Sequence, residues 1–275
     1  MNRLLKADFK RFFKDKLFLV SCIIALVFSI INPLLYKLIF SSLLEFEMEE
    51  LGIVLDLNSL YFQSFSLSNN LGLIVPILIV IIIFKDFSFG TIRNKIIAGH
   101  NRTNIFISLF IVSSAIISLI MFSSATITGL LSMALFPDLV SNLTSKEIGY
   151  FIASIGFELL VMIFVAALVS FLSVFMKNAG LAIIIYAALM LAGTALNGIA
   201  SIAINFLSFE QGKEELVKLI ENISYFNIFA NNSSVIGLTS SYNNTQVLLL
   251  LLSSLLGISM FVGLGILVFS KKDIK

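Results

Sequence analysis

The chain has 275 residues, of which 59% are hydrophobic and only 12% are charged, and its formal net charge is +2. An ordinary soluble domain carries about 25% charged residues, so this composition excludes a soluble domain. The small net charge gives no reason to expect nucleic acid as a partner. A single cysteine, Cys22, excludes an internal disulfide, and with a single histidine, His100, it leaves no cluster of soft metal ligands.

Residues 2–16 predict an amphipathic helix that lies in the membrane interface. Its apolar side chains fall on one helical face, and lysine and arginine occupy the other. The residues of the predicted apolar face are Leu5, Phe9, Phe12 and Phe13. A charged flank that only stops translocation is the alternative. Both interpretations place this end of the chain in the cytoplasm.

Six apolar runs are long enough to cross a bilayer as helices. They cover residues 17–40, 67–84, 105–136, 149–176, 179–206 and 247–269. A membrane β-barrel would instead show short segments in which apolar and polar residues alternate, and these runs do not alternate. We therefore predict an all-α polytopic membrane protein with one transmembrane domain, residues 1–275.

Two of these runs have unusual features. Asn69, Asn70 and Pro76 indicate that the outer part of the second span is bent or packed against protein. The third run exceeds the roughly 20 residues that a bilayer requires, which predicts a helix that is tilted, or broken near Gly129.

Small residues in the last two spans predict close helix contacts. Ala188, Ala192 and Ala195 form a stripe on the fifth span, and Ser253 with Gly257 forms a small-xxx-small pair on the sixth. We expect these contacts to lie within the chain.

The distribution of basic residues predicts that both termini are cytoplasmic. Most of the 18 lysines and arginines then lie in cytoplasmic segments, and only four lie outside. Those four are Lys37, Lys146, Lys213 and Lys218. The outer segment 207–246 contains apolar residues at helical spacing, which predicts a short helix on the outer surface. The apolar residues are Leu216, Leu219, Ile220 and Ile223.

The sequence offers no motif for catalysis or nucleotide binding. The phosphate-binding pattern G-x-x-x-x-G-K-[ST] is absent, and one histidine cannot supply H-E-x-x-H. We therefore expect this chain to bind no cofactor and to have no enzymatic activity of its own. Glu158 is the only acidic residue well inside a predicted span. Burying a carboxylate in a membrane costs free energy, so such a residue is a candidate functional residue. A place on a transport path is one interpretation, and a structural bridge or a protonated hydrogen bond is the other.

The loop 85–104 predicts a short helix between the second and third spans. Gly90 permits a sharp turn, Thr91 favours a helix start, and Gly99 is a natural helix stop. Between them, Ile92, Ile96 and Ile97 form an apolar face, and Arg93 and Lys95 are displayed below the membrane. Such a helix suits contact with a cytoplasmic partner, or its basic residues anchor the loop to anionic headgroups.

The segment F-G-T-I-R-N-K-I-I-A-G-H-N-R-T, which leads into the third span, resembles the corresponding loop of ABC-2 type permeases. These are the membrane subunits of bacterial ABC exporters. The basic amphipathic start, the six spans and the outer helix extend the resemblance over nearly the whole chain. It implies that residues 2–16 form an elbow helix and that residues 90–99 form a coupling helix. The coupling residues would be Gly90, Thr91, Ile92, Arg93, Asn94, Lys95, Ile96 and Gly99.

The same resemblance implies a bacterial cytoplasmic-membrane location and a set of partners. Two cytoplasmic ABC ATPase subunits would carry ATP and Mg, and a second permease subunit, identical or homologous, would complete the pathway. The cargo would be a hydrophobic or amphipathic compound such as a drug, an antimicrobial peptide or a lipid. An ion-coupled secondary transporter and a noncatalytic membrane assembly protein are the rival hypotheses.

Overall fold

A computed structural model describes residues 1–42, 57–67, 69–137, 145–209, 212–230 and 244–272. Within these ranges every regular element is helical. The α-helices are α1 (Asn2–Lys14), α2 (Lys16–Ser42), α3 (Leu57–Gln63), α4 (Asn70–Ser88), α5 (Thr91–Ile97), α6 (Arg102–Leu135), α7 (Ser145–Phe175), α8 (Ala179–Ser208), α9 (Glu214–Ser224) and α10 (Asn244–Lys271). Residues 43–56, which lie between the first and second predicted spans, are outside the described residues.

Six of these helices, α2, α4, α6, α7, α8 and α10, are long and apolar enough to cross a membrane. The predicted all-α polytopic membrane fold is therefore confirmed. Arg102 at the start of α6 contacts the end of α10, and Lys85 near the end of α4 contacts Asp15 beside α2. Lys272, just after α10, lies over the Phe87 ring of α4 and links the two pairs. These four helix ends consequently lie together at one end of the bundle. We call it the inner end, and it is the end predicted to be cytoplasmic.

The centre of the bundle is formed by α6 and α7. The most apolar part of α7 is 67% buried inside the protein, whereas that of α10 is only 17% buried. The helices α2, α8 and α10 therefore present large apolar surfaces outward, as expected for helices that contact lipid.

The small residues of the last two spans have different roles. Gly257 packs on the ring of Phe164 in α7, and Ser253 is buried, so this pair makes the predicted contact within the chain. The alanine stripe does not, because Ala188, Ala192 and Ala195 all lie on the exposed side of α8. The opposite side of α8, with Ala182, Tyr186 and Met190, is buried against its neighbours.

The third span is one uninterrupted helix, so of the two predicted alternatives the break near Gly129 is wrong and the tilted, unbroken helix remains. The helix α6 contains 34 residues, which corresponds to about 51 Å and exceeds the bilayer thickness. A Cβ atom at position 129 would lie 2.9 Å from the Tyr61 ring. The glycine therefore makes room for an aromatic side chain of α3 and does not interrupt α6.

The second span begins at Asn70, three residues later than predicted. Its outer part packs against protein, as expected, since Leu71, Val75 and Pro76 are buried. The chain turns sharply from α3 into α4, so the backbone of Leu67 lies directly on Gly72. The Tyr186 hydroxyl of α8 donates a hydrogen bond to the Gly72 carbonyl, with 2.6 Å between the oxygens. Glycine is required here because a side chain would collide with backbone.

Side-chain hydrogen bonds fix α8 at its start and near its middle. The Asn178 side chain accepts a hydrogen bond from the Leu181 N–H at 2.9 Å and so caps α8 directly after α7. At the other end, α9 forms the predicted outer helix and folds back along α8. The Asn227 amide, just after α9, donates a hydrogen bond to the Gly193 carbonyl at 2.6 Å.

We predict that Gly72→Ala destabilises the protein. A Cβ at this position would lie 2.4 Å from the Leu67 Cα atom. Relieving this overlap requires the turn to move, at a cost of roughly 1–3 kcal/mol. Thermal unfolding in detergent should therefore show a lower midpoint temperature. The matched control is Gly198→Ala on α8, where an added Cβ meets nothing within 4 Å. An equal effect of both substitutions would contradict the role of the turn.

Candidate functional site

The predicted coupling helix is α5, a seven-residue helix at the inner end. It is flanked by two glycines with left-handed backbone, Gly90 with φ 67° and Gly99 with φ 87°. Other residues rarely adopt this conformation, so the two glycines fix where the helix begins and ends. The helix limits therefore agree with those predicted from the sequence.

The apolar face of α5 is divided between the protein interior and the exterior. Ile92 is fully buried and Ile96 is partly buried against the bundle. Ile97 is 74% exposed and Phe89, just before α5, is 78% exposed. Arg93 and Asn94 are exposed as well. The outward surface thus combines two apolar side chains with one cation, and we call Phe89, Arg93, Asn94 and Ile97 the outer face of α5.

Lys95 differs from its prediction, because it is not displayed below the membrane. Its side chain is only 11% exposed, and its ammonium group lies 2.5 Å from a carboxylate oxygen of Asp8 in α1. Residues three apart on a helix share a face, so Lys95 follows the buried Ile92 inward. Burial lowers the pKa of Lys95, although the neighbouring Asp8 carboxylate favours the charged form.

Asp8 is the centre of a buried polar cluster. It is 1% exposed, and its second carboxylate oxygen accepts a hydrogen bond from the Ser108 hydroxyl of α6 at 2.6 Å. The Arg11 guanidinium lies 3.9 Å from Asp8. One carboxylate thus joins α1, α5 and α6, whose residues are distant in sequence.

The burial of Asp8 follows from the orientation of α1. Leu4, Asp8 and Phe12 lie one turn apart and form the buried side of the helix. Of the residues predicted for the apolar face, Phe12 is therefore buried in protein, while Leu5 and Phe9 are partly buried. Phe13 is 46% exposed. The apolar surface of α1 accordingly serves the bundle as well as the membrane.

Two further ion pairs attach α1 to the end of α4. Arg11 pairs with Asp86, and Lys85 contacts both carboxylate oxygens of Asp15 at 3.0 and 3.2 Å. Burial by itself would raise the pKa of Asp15, but the Leu17 N–H and the Lys85 ammonium outweigh it and lower that pKa. We refer to all these contacts as the inner charge network. Its members are Asp8, Arg11, Asp15, Lys85, Asp86, Lys95 and Ser108.

The loop 85–104 is also attached to the opposite side of the bundle. Arg102 donates hydrogen bonds to the carbonyls of Ser270 and Lys272 at 3.1 and 2.7 Å, where α10 ends. The Lys272 ammonium donates to the Val174 and Met176 carbonyls at the end of α7 and lies 4.9 Å from the Phe87 ring centroid. Basic groups at helix C-termini satisfy carbonyls that have no helical partner. The ends of α4, α6, α7 and α10 are thereby connected.

Glu158, the other predicted site residue, lies far from this region. It is fully buried on α7 and within electrostatic reach of Tyr61 in α3. Its carboxyl group therefore belongs to the interior of the bundle, on the side where the aromatic rings of Tyr61, Phe62 and Phe151 meet. The structure does not bring Glu158 together with α5.

Across the described ranges, no group of three or more His, Cys, Asp or Glu residues could hold a metal ion.

No protein-family model, curated protein or solved structure matches the chain. The geometry of α5 and of the inner charge network is therefore the basis for a functional hypothesis.

We predict that Asp8 and Lys95 depend energetically on each other. Asp8→Asn leaves the Lys95 ammonium buried beside a neutral group, which should cost on the order of 3 kcal/mol. Lys95→Met should also destabilise the protein. The double variant should lose less than the sum of the two, with a coupling energy of about 1–3 kcal/mol. Thermal unfolding of the four proteins in detergent measures this cycle.

The control for this cycle is Lys10→Met. Lys10 lies on the exposed side of α1, and a surface substitution of this kind changes stability by about 0.5 kcal/mol or less. Strictly additive effects of Asp8→Asn and Lys95→Met would contradict the pairing of these two side chains.

Proposed function

We propose that this chain is the membrane-spanning permease subunit of an ATP-driven ABC exporter in the bacterial cytoplasmic membrane. A separate cytoplasmic ATPase subunit binds the outer face of α5 and supplies the energy. Two permease subunits and two ATPase subunits form the working transporter. The cargo is a hydrophobic or amphipathic compound, such as a drug, an antimicrobial peptide or a lipid. ATP and Mg bind to the partner and not to this chain.

The observation that supports this proposal best is the contrast between the two sides of α5. Its outward side presents Phe89, Arg93 and Ile97 to the exterior at the inner end. Its inward side is held by the buried Ile92 and by the Lys95–Asp8 ion pair. Apolar and arginine side chains on an exposed, well-supported surface are typical of protein interfaces. A loop that only touched headgroups would not require such support from within.

The contacts of the loop suggest how a force on α5 would spread. On one side the inner charge network carries a displacement to α1 and, through it, to the beginning of α2. On the other side Arg102 and Lys272 carry it to the ends of α7 and α10. A single movement at α5 would then change the tilt of several spans together, as alternating access requires.

The exposed apolar sides of α2, α8 and α10 are the surfaces available to the bilayer and to a second permease subunit. The alanine stripe on α8 would permit close approach of another helix. Glu158 would act on the transport path in a conformation that opens the bundle next to α7. In the structure described here it faces the interior.

We predict that two negative charges introduced on the outer face of α5 separate this chain from its ATPase subunit. Arg93→Glu combined with Ile97→Glu removes a cation and an apolar contact without touching the buried side of the helix. The affinity-tagged chain, purified from its native membranes in mild detergent, should carry Mg-dependent ATPase activity. The double variant should carry at least about tenfold less ATPase activity, because each side chain that anchors a protein interface contributes about 2 kcal/mol or more to binding.

The matched control is Lys10→Glu together with Lys14→Glu, which reverses two exposed charges on α1. This control should retain the ATPase. Ile92 is unsuitable for the test because it is fully buried, and its substitution would disturb folding. Full retention of the activity by the α5 variant, or ATP-independent export by the purified chain, would contradict the proposal. The second result would favour the ion-coupled transporter.

We predict that Glu158→Gln reduces transport while preserving partner binding. The substitution keeps the shape of the side chain and removes its ability to ionise. ATP-dependent uptake of amphipathic fluorescent dyes into inverted vesicles should fall by about tenfold, as expected for a functional intramembrane carboxylate. Glu215→Gln on the exposed α9 is the control. Unchanged uptake at matched expression would remove Glu158 from the mechanism.

A further inference from the structure

We propose that a small recess between α2, α4 and α6 is open to water from the outer side and binds the uncharged polar group of an amphiphile. The recess lies where the chain turns from α3 into α4, inside the outer half of the membrane. Its position, its backbone and its lining each support this assignment.

The length of α4 places the recess below the outer membrane surface. Lys85 pairs with Asp15, and two charged groups mark the inner edge of the hydrocarbon region. With a rise of about 1.5 Å per residue, Asn70 lies roughly 22 Å along α4 from Lys85. The hydrocarbon core is about 30 Å thick. Asn70 therefore lies several ångströms inside the outer boundary, although its side chain is exposed.

The backbone before Asn70 is not helical at this depth. Residues 64–67 and 69 form a turn in which the Asn69 amide donates a hydrogen bond to the Gln63 carbonyl at 2.5 Å. Within a membrane, non-helical backbone is tolerated only where protein buries it or where it lines a water-filled cavity. Phe65 and Leu67 satisfy the first condition, since both are buried. Asn69 and Asn70 are not buried, so the polar groups on their side of the turn must be hydrogen-bonded by water.

The recess itself has a volume of about 40 Å³, which exceeds the roughly 10–15 Å³ needed to hold a water molecule. Its polar lining consists of Asn32, Ser64, Asn69, Asn70 and Ser124. The Ser124 hydroxyl is already bonded to Ser29, with 2.6 Å between the oxygens. Within the part of the chain that the structure describes, the carboxamides of Asn32 and Asn70 make no hydrogen bond, so two groups with both donors and acceptors face the recess.

The lining defines the chemistry of the ligand. None of its residues is charged, so it has no partner for a phosphate, a carboxylate or an ammonium group. Carboxamides both donate and accept hydrogen bonds, which suits a hydroxyl or an amide. Phe28 lines the recess from one turn below Asn32, and Leu35, about one turn above, is 50% exposed. An apolar body attached to the polar group would therefore lie along α2.

This inference rests on the proposed function only in that the ligand would be a cargo of the permease. The recess belongs to this chain alone, so its test uses no ATPase subunit and no nucleotide. A negative result would not count against ATPase binding at the outer face of α5, and loss of the ATPase subunit would not count against the recess.

The test is cysteine labelling in right-side-out vesicles with a membrane-impermeant methanethiosulfonate. The only native cysteine is Cys22, and Cys22→Ser provides the background. Asn70→Cys should react at least about tenfold faster than Leu34→Cys, because the reactive thiolate forms in water and not in hydrocarbon. Leu34 lies near the depth of Asn32 and is 47% exposed on α2, on the side turned away from the recess. Asn32→Cys repeats the measurement if Asn70→Cys does not fold.

Ligand binding is tested with 1-octanol and with octane at equal membrane concentration on Phe28→Cys in the Cys22→Ser background, because Phe28 lines the recess and its replacement leaves the carboxamides of Asn32 and Asn70 in place. Octanol at twice its dissociation constant should slow labelling of Phe28→Cys about threefold by mass action, while octane should not. If Asn70→Cys were labelled as slowly as Leu34→Cys, the proposal that the recess is open to water would be wrong. Equal slowing by octane, or no slowing by octanol, would overturn the binding of a polar group.

Discussion

The inner end of this protein depends on one buried carboxylate. Asp8 is almost fully enclosed, yet a charge is stable in such a place only when it is paired and hydrogen-bonded. Lys95 supplies the pairing and Ser108 supplies a hydrogen bond. Their positions in turn fix how α1 lies on the bundle and which side of α5 faces outward. The surface that we propose for the ATPase subunit is therefore a consequence of a contact made on the opposite side of the helix.

The loop between α4 and α6 is held at both of its ends and in its middle. Ion pairs attach it to α1, and Arg102 attaches it to the end of α10. A short helix on a flexible loop could move without consequence for the spans. Here a displacement of α5 must either break several charged contacts or move the spans to which they belong. The polar groups at this end thus connect α1 and α5 mechanically with the ends of α4, α6, α7 and α10.

Much of this fold could be predicted from the sequence because bilayer thickness imposes a length on each apolar run. Local rules also located α5, since the two glycines that end it need left-handed backbone. The sequence did not indicate the burial of Asp8, because a carboxylate between Leu4 and Phe12 resembles an ordinary polar position until Lys95 is placed beside it. The exposed alanine stripe was missed for the same reason, and the choice between an unbroken and a broken third span could not be made. Both depend on neighbours from distant parts of the chain, such as Tyr61 on Gly129.

The long sequence separation of the Asp8 contacts has a consequence for biosynthesis. Lys95 follows Asp8 by 87 residues and Ser108 follows it by 100. At elongation rates of about 5–20 residues per second, the ribosome makes these partners on the order of 10 s after Asp8. During that interval α1 has no docking site, and its carboxylate stays hydrated beside the emerging first span. Attachment of α1 therefore follows the synthesis of the first three spans, and in a nascent chain in which α1 stays detached this helix remains accessible to proteases.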